Sequence, residues 1–284
     1  MNAPLIGITG VTGQLGGAVA RLLEQSVGGD RLRLFARDPS RLPHLPGAER
    51  TKIAYEHTRQ VVEALRGVHT LFFVSGGESL DRVQQHKGLI DAAIEAGIEH
   101  IVYTSFIGAG PDSTFTLGRD HGATEKYIRA SGAQWTFLRD NFYLDFFAYL
   151  PDEEGVIRGP AADGRVAGVA RQDIAEVAAA VLADSATWAG QTLNLTGPEA
   201  LTLDEIAETL TRIGQRPVTY IPETVEEAYE SRKKWEAEPW QYDAWVSTYT
   251  AIASGELAEV SPDVERVLGR PATSFEELLI AAEK

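Results

Sequence analysis

The first residues whose types and spacing suit a chemical task are three glycines, Gly10, Gly13 and Gly16, in Thr9-Gly10-Val11-Thr12-Gly13-Gln14-Leu15-Gly16. On a strand-to-helix turn, such a triplet aims backbone N–H groups and the positive end of a helix at an anion. A dinucleotide pyrophosphate fits that arrangement. Gly10 permits the tight turn, Gly13 lets the backbone approach the phosphates, and Gly16 lets the helix lie close on the strand. The bland alternative is a tight turn with no ligand. A second candidate lies further on, where His121 and Glu125 are four apart and share a helix face. An imidazole titrates near neutral pH and can give a proton. It can equally be a helix-start histidine hydrogen-bonded to Glu125.

These residues need elements to hold them. Leu5 to Ile8 is an apolar run short enough for a buried strand. Leu15, Val19, Leu22 and Leu23 follow at helical spacing, so the glycines do lie between a strand and a helix, where the motif is most specific. Through residue 140 the alternation continues. Strands are expected at 4–9, 31–36, 50–54, 69–74, 99–104 and 134–139, and helices at 14–26, 58–66, 79–96 and 120–131. That pattern predicts an α/β, Rossmann-like doubly wound parallel sheet with helices on both faces. Residues 1–150 form the expected nucleotide-binding domain, to which the chain returns at about 165–197.

The second strand runs into Ala36-Arg37-Asp38. An NAD site usually carries an acidic residue about 20 positions after the glycine turn. An arginine there, Arg37, can pair instead with an adenosine 2′-phosphate, the bland alternative being a solvated strand-end residue. NADP is therefore favoured, with NAD left possible because Asp38 is one residue away. The fourth strand ends in Ser75-Gly76, and the fifth in Thr104-Ser105. Small residues at strand carboxyl ends let a dinucleotide pass over them, and are equally well read as ordinary strand-end turns.

Beyond the sixth strand, Phe142, Tyr143, Phe146 and Phe147 crowd into six residues. They line a pocket for a flat apolar ligand or pack a helix into the core. Asp173 to Asp184 is an alanine-rich helix, and Thr192 to Leu195 a strand. Residues 198–284 are expected to form a smaller, mainly helical, substrate-binding cap. Its helices open on capping boxes at Thr202–Glu205 and Ser274–Glu277. Trp235, Trp240, Tyr242 and Trp245 cluster within it, either covering the pocket or anchoring the cap.

Composition narrows the classes. The 284 residues are 44% hydrophobic and 24% charged, as in an ordinary globular protein. A net charge of −15 opposes nonspecific binding to nucleic acid or an anionic membrane. With no cysteine, disulfides, thiol catalysis and cysteine-ligated metals are excluded, and no metal site is expected. No apolar run approaches the ~18 residues of a membrane span, and the N-terminus lacks a signal-peptide pattern. The expectation is a cytoplasmic protein, monomeric or homodimeric.

With these residues in view, the chain resembles the NmrA-like, atypical short-chain dehydrogenase/reductase proteins. It is most similar to the branch holding triphenylmethane reductase and the bacterial type-2 NAD(P)H:quinone oxidoreductases. The marks run nearly end to end: Thr9 to Gly16, Ala36-Arg37, Val74-Ser75-Gly76, Tyr103-Thr104-Ser105, His121 with Thr124-Glu125, Leu138-Arg139-Asp140-Asn141 with Tyr143, and Leu268-Gly269-Arg270-Pro271. The resemblance assigns Gly10, Thr12, Gly13, Gln14, Leu15, Gly16, Arg37, Tyr55, Ser75, Gly76 and Thr104 to the cofactor. Relatives tend to carry Asp-Tyr after the third strand, where this chain has Ala54-Tyr55, so one adenine hydrogen bond is lost.

Ketone reductases of the wider superfamily use a tyrosine four residues before a lysine. Matching the helix through Glu125 puts Leu117 and His121 at those positions. Hydride transfer to an ordinary ketone makes an alkoxide that needs a proton or strong electrostatic help. A quinone gives a delocalised anion and a cationic dye a neutral product, and either needs less. The implied activity is hydride transfer from NAD(P)H to a quinone-like or conjugated aromatic acceptor. His121 is then a candidate acid, and Ser105, Asn141 and Tyr143 orient the nicotinamide or acceptor. Phe142, Phe146, Trp240 and Trp245 line the substrate pocket. The alternative is a non-catalytic, NmrA-like redox sensor.

Overall fold

The computed structural model describes residues 4–282. The chain divides into two compact units. Unit 1 takes the chain up to Ser105, with Asp120–Arg139 and Ile174–Leu193; unit 2 takes Phe106–Arg119, Asp140–Asp173 and the chain from Asn194 onward.

Unit 1 is built on β1 (Leu5–Ile8), β2 (Leu32–Ala36), β3 (Glu49–Lys52), β4 (Val68–Phe73), β5 (His100–Phe106) and β6 (Gln134–Asp140). Its helices are α1 (Gln14–Val27), α2 (Arg59–Leu65), α3 (Arg82–Ala96), α4 (Thr116–Ala130) and, later in the chain, α6 (Arg171–Ala183), followed by β8 (Gln191–Leu195). The sheet order is β3-β2-β1-β4-β5-β6-β8. β1 to β5 pair in parallel, with Ile8 opposite both Leu34 and Phe72. The order 3-2-1-4-5-6 is the doubly wound one, and its direction reverses between β1 and β4, where such sheets bind ligands. All seven residues of β5 are buried, as expected of a parallel strand covered on both faces. β3, at the sheet edge, reads Glu-Arg-Thr-Lys and is mostly exposed, which blunts the edge.

α1 buries Leu15, Val19 and Leu23, one apolar stripe at four-residue spacing. Phe35, Leu71, Phe73, Leu89, Ile101 and Phe137 form the centre of unit 1. Each such side chain contributes roughly 1.5–3 kcal/mol on burial.

Unit 2 holds α5 (Leu144–Phe147), β7 (Val156–Gly159), α7 (Leu203–Gly214), β9 (Thr219–Pro222), α8 (Val225–Arg232), α9 (Pro239–Ala253), α10 (Asp263–Leu268) and α11 (Phe275–Ala282). β7 and β9 pair in parallel, Ile157 opposite Tyr220. Thr202 with Glu205 and Thr224 with Glu227 close complete capping boxes on α7 and α8. Phe106, Phe115, Phe147, Ile157, Ile206 and Phe275 are buried in one cluster.

The boundaries differ from those expected. The second unit is not the 198–284 segment alone. It also draws in 106–119 and 140–173, and the return to unit 1 is 174–193 rather than 165–197. The cause is aromatic packing: Phe106 and Phe115 lie against Phe142, with ring centroids 5.0 and 5.2 Å away. α4 also begins at Thr116, four residues before the expected start. Thr116 N–H donates to Ser247 Oγ at 3.1 Å, a partner 131 residues away that no local pattern announces. Among the described residues, no helix is long and apolar enough to cross a membrane.

Candidate functional site

The glycine turn is a cradle shaped by close approach. Gly10 has φ +66°, and a Cβ on Gly16 would stand 2.5 Å from the Gly10 carbonyl oxygen. Gly13 is the extended N-cap of α1; no side chain caps it, and no carboxylate stands in the first turn. A helix start so arranged favours an anion. Beside it lies a cavity of about 440 Å³, lined at the strand ends by Thr9, Gly10 and Thr12, by Ala36 and Arg37, by Tyr55, and by Ser75 and Gly76. The cradle therefore has the space and the backbone access a dinucleotide needs. Gln14 and Leu15 open α1. The Leu15 side chain is buried in the core, so what it offers a ligand is its main chain.

The two residues after β2 separate cleanly. Asp38 is committed: its carboxylate accepts the Ser40 N–H at 3.0 Å and hydroxyl at 2.7 Å, capping a short turn. Arg37 is exposed and faces the cavity, with no hydrogen bond or ion pair to another described residue. Tyr55 is placed by its hydroxyl, which lies 2.6 Å from Val74 O and 2.9 Å from Thr9 Oγ1, tying the ends of β1 and β4 together. Burial pushes that phenol up to about 12. Ala54, beside Tyr55, carries only a methyl group and can make no side-chain hydrogen bond.

Behind Ser75 and Gly76 is a buried polar network, two members of which, Arg82 and His86, the sequence reading missed. Ser75 N–H donates to Thr104 Oγ1 at 2.8 Å. Gly76 N–H donates to His86 Nε2 at 2.8 Å, and Gly76 O accepts from Arg82 Nε at 2.9 Å. Both main-chain groups of Gly76 are thus spent inside the protein, and what it offers a cofactor is close approach. Arg82 continues to His121 Nε2 at 3.0 Å, and His121 Nδ1 meets Tyr103 Oη at 2.9 Å. A guanidinium only donates, so Nε2 accepts and the single ring proton sits on Nδ1, directed at Tyr103. Burial first, then the charge of Arg82, holds His121 well below its ordinary value, so it is neutral. The same causes bring His86 down to about 3. The signal available beforehand was Arg82 and His86 at four-residue spacing on one face of α3.

His121 is not hydrogen-bonded to Glu125, contrary to the alternative reading of that pair. Glu125 is buried and accepts from Arg139 through both oxygens, each at 2.7 Å, and from Arg129 at 3.1 Å. Ser105 Oγ also donates to it, at 2.7 Å. The Ser105 proton is therefore committed, and its lone pairs are what it can present.

In unit 2, Asn141 is buried. Its amide donates to Leu257 O at 3.0 Å, and its oxygen accepts from Phe142 N–H at 2.8 Å. Tyr143 donates to Asp140 Oδ2 at 3.1 Å, while the other Asp140 oxygen is buried with no hydrogen-bond partner. Burial pushes the Asp140 carboxyl well above the usual range, toward its neutral form. Of the four aromatic residues expected to line a pocket, Phe146 and Trp245 line a cavity of about 510 Å³. Phe142 packs instead against Phe106 and Phe115, and Trp240 is half-buried in the first turn of α9 without lining that cavity.

A model of the NAD(P)H-binding family matches residues 10–185. The chain is similar to the NAD(P)H azoreductase of Xenophilus azovorans, with 32% identity over 278 residues covering 96% of each chain. Among solved structures, it is similar to the NADPH-dependent quinone oxidoreductase QOR2 of Escherichia coli in complex with NADPH. That match has a TM-score of 0.92 and 30% identity, covering 99% of this chain and 100% of the other. Triphenylmethane reductase of Citrobacter sp., complexed with NADP(H), matches with a TM-score of 0.87 and 30% identity, covering 98% and 99%.

Proposed function

Because this chain belongs to the NAD(P)H-binding family, we propose that it is an NADPH-dependent reductase acting on a quinone or another conjugated aromatic acceptor. NADPH, when bound, supplies a hydride, so that quinone, NADPH and a proton give hydroquinone and NADP⁺. The residues of the chain do the rest. The turn from Gly10 to Gly16 takes the pyrophosphate, with Thr12 beside it, and the strand ends at Thr104-Ser105 and Ser75-Gly76 support the cofactor. Arg37 takes the 2′-phosphate, which selects NADPH, since Asp38 is spent on its own turn.

The observation that carries the acceptor class is the state of α4. Leu117 and His121 occupy the places of a ketone reductase's tyrosine and lysine, and the one proton of His121 is held by Tyr103. His121 then acts as a positioning residue that holds Arg82, and through it Gly76, rather than as an acid. Asn141 and Tyr143 orient the acceptor, and the Tyr143–Asp140 pair holds a proton near it. Acceptors that delocalise the incoming electron pair suit such a site. The azo, quinone and dye substrates in the names of the similar proteins share that property. We place the enzyme in the cytoplasm, as a monomer or homodimer that engages no nucleic acid.

Stopped-flow oxidation of NADPH tests this with four acceptors: a naphthoquinone, an azo dye, a cationic triphenylmethane dye and an aliphatic ketone. The first three should turn over, and the ketone should not. Rapid ketone reduction would show a proton donor overlooked. Tight NADPH binding with no turnover of any acceptor would mark a redox sensor.

A further inference from the structure

We propose that the aromatic cavity of unit 2 binds a planar aromatic ligand carrying an anionic group, a sulfonate or carboxylate. At about 510 Å³ it has the size of a small-molecule site. Phe146, Trp235, Trp245 and Tyr249 give it an aromatic lining from three separate segments. Phe146 is 49% exposed and Trp235 52%, an arrangement that leaves apolar surface in water unless something covers it. The rings are nevertheless held in place. Trp245 meets Trp235 edge-on at 6.2 Å and Tyr242 edge-on at 5.5 Å, and Tyr242 Oη donates to Trp235 O at 2.6 Å. A preset aromatic slot suits a flat, rigid ligand.

Charge sets the class. Arg158, Arg232 and Lys234 line the cavity, against a single carboxylate, Asp152. Arg232 is structural: it is buried, paired with Glu223 at 3.1 Å, and lies over the Tyr249 ring. Asp152 is committed to the backbone N–H groups of Glu154 and Val156, at 3.0 and 2.9 Å. Arg158 and Lys234 remain: both are exposed and neither is in a direct ion pair with another described residue, although, after the Val156 N–H, their charges help hold the Asp152 carboxyl below the usual range. The Lys234 ammonium lies 4.3 Å from the centre of the Trp235 ring, so a charge stands directly at the slot. In a chain of net charge −15, a cavity lined by three cations and one carboxylate is a local inversion of sign. An anionic aromatic ligand meets both features at once, whereas a cationic one meets like charge at the mouth of the slot. The proposal concerns binding within unit 2 and does not depend on the acceptor reading above.

Binding is measured without NADPH, on the whole chain, by tryptophan fluorescence and calorimetry. The probes are 2-naphthalenesulfonate, its neutral methyl sulfone and a naphthyl trimethylammonium ion. The sulfonate should bind about 10-fold tighter than the sulfone, with the ammonium weakest, and added salt should narrow the gap. Arg158→Gln with Lys234→Gln, both at exposed positions, should bring the three probes within about 3-fold while leaving sulfone affinity and NADPH affinity unchanged. Trp245→Ala should weaken all three. Equal wild-type affinities, or a sulfonate preference that survives the double substitution, would overturn the proposal.

Discussion

At the scale of single residues, the site is decided by which polar groups are already spoken for. Asp38 is bound to Ser40 and Arg37 is not bound to any described residue, so under the proposed function the side chain available to read the ribose is a cation. Arg37→Ala should weaken NADPH by about 10- to 150-fold, the 1.5–3 kcal/mol of a charge-assisted contact, and leave NADH nearly unchanged. Titration of both cofactors into the variant measures this; equal losses would mean that Arg37 acts by packing on the adenine. His121 is the converse case, because both ring nitrogens are engaged and its charge is suppressed. His121→Ala should cost about 1–3 kcal/mol of stability, because buried Arg82 and Tyr103 each lose a partner. Quinone reduction should fall only a few-fold, and its pH profile between 6 and 8 should keep the wild-type shape. Loss of an inflection near neutral pH would restore the ring as a proton donor.

At the scale of elements, long-range hydrogen bonds decide where helices begin and where the tail lies. α4 starts at Thr116 because Ser247 supplies the acceptor. The tail is held by Asp173, which is wholly buried and accepts from Arg270 at 2.7 Å, from Thr273 N–H at 2.6 Å and from Thr273 Oγ1 at 2.9 Å. Asp173→Ala should lower stability by about 3 kcal/mol, because three hydrogen bonds lose their buried acceptor. Urea unfolding of the variant would show this as a shifted midpoint, and a shift worth under 1 kcal/mol would make the tail's attachment incidental. The motif Leu268-Gly269-Arg270-Pro271 was legible as a mark of resemblance, but nothing in it named Asp173 as the partner, 97 residues earlier.

At the scale of the molecule, buried neutral histidines tie stability to pH. His86 is brought down to about 3 and His100 to about 4, each mainly by burial, and His121 is lowered as well. Unfolded histidines take up protons near pH 6.5, whereas folded His86 does so only near 3 and folded His100 only near 4. In that window the unfolded chain binds more protons, so the contribution is full above pH 6.5 and is lost as pH falls toward 3. Asp140, with a raised value, works the other way: its contribution is full in acid and is lost as pH rises through its folded value. His86→Gln should therefore flatten the pH dependence of unfolding free energy by up to about 1.4 kcal/mol per pH unit below 6. An unchanged slope across pH 4 to 6 would mean that His86 is protonated in the folded protein.

By itself, the sequence determined the alternation of strands and helices through residue 140, the glycine cradle, the cation after β2 and the missing tyrosine of a ketone reductase. These are local facts: strand and helix periods, turn glycines and residue identity at a motif position all act over a few residues. Tertiary structure alone decided the rest. It assigned Phe142 to packing and Phe146 with Trp245 to a cavity, because four adjacent aromatics share one composition and only packing partners separate them. It gave His121 to Arg82 and Tyr103 instead of Glu125, since a helix face offers a neighbour four residues away but cannot say which strand or helix will cover it. It also moved the unit boundaries to the carboxyl ends of β5 and β6 and into α4, α6 and β8, with Phe106 at the end of β5 joining a second core.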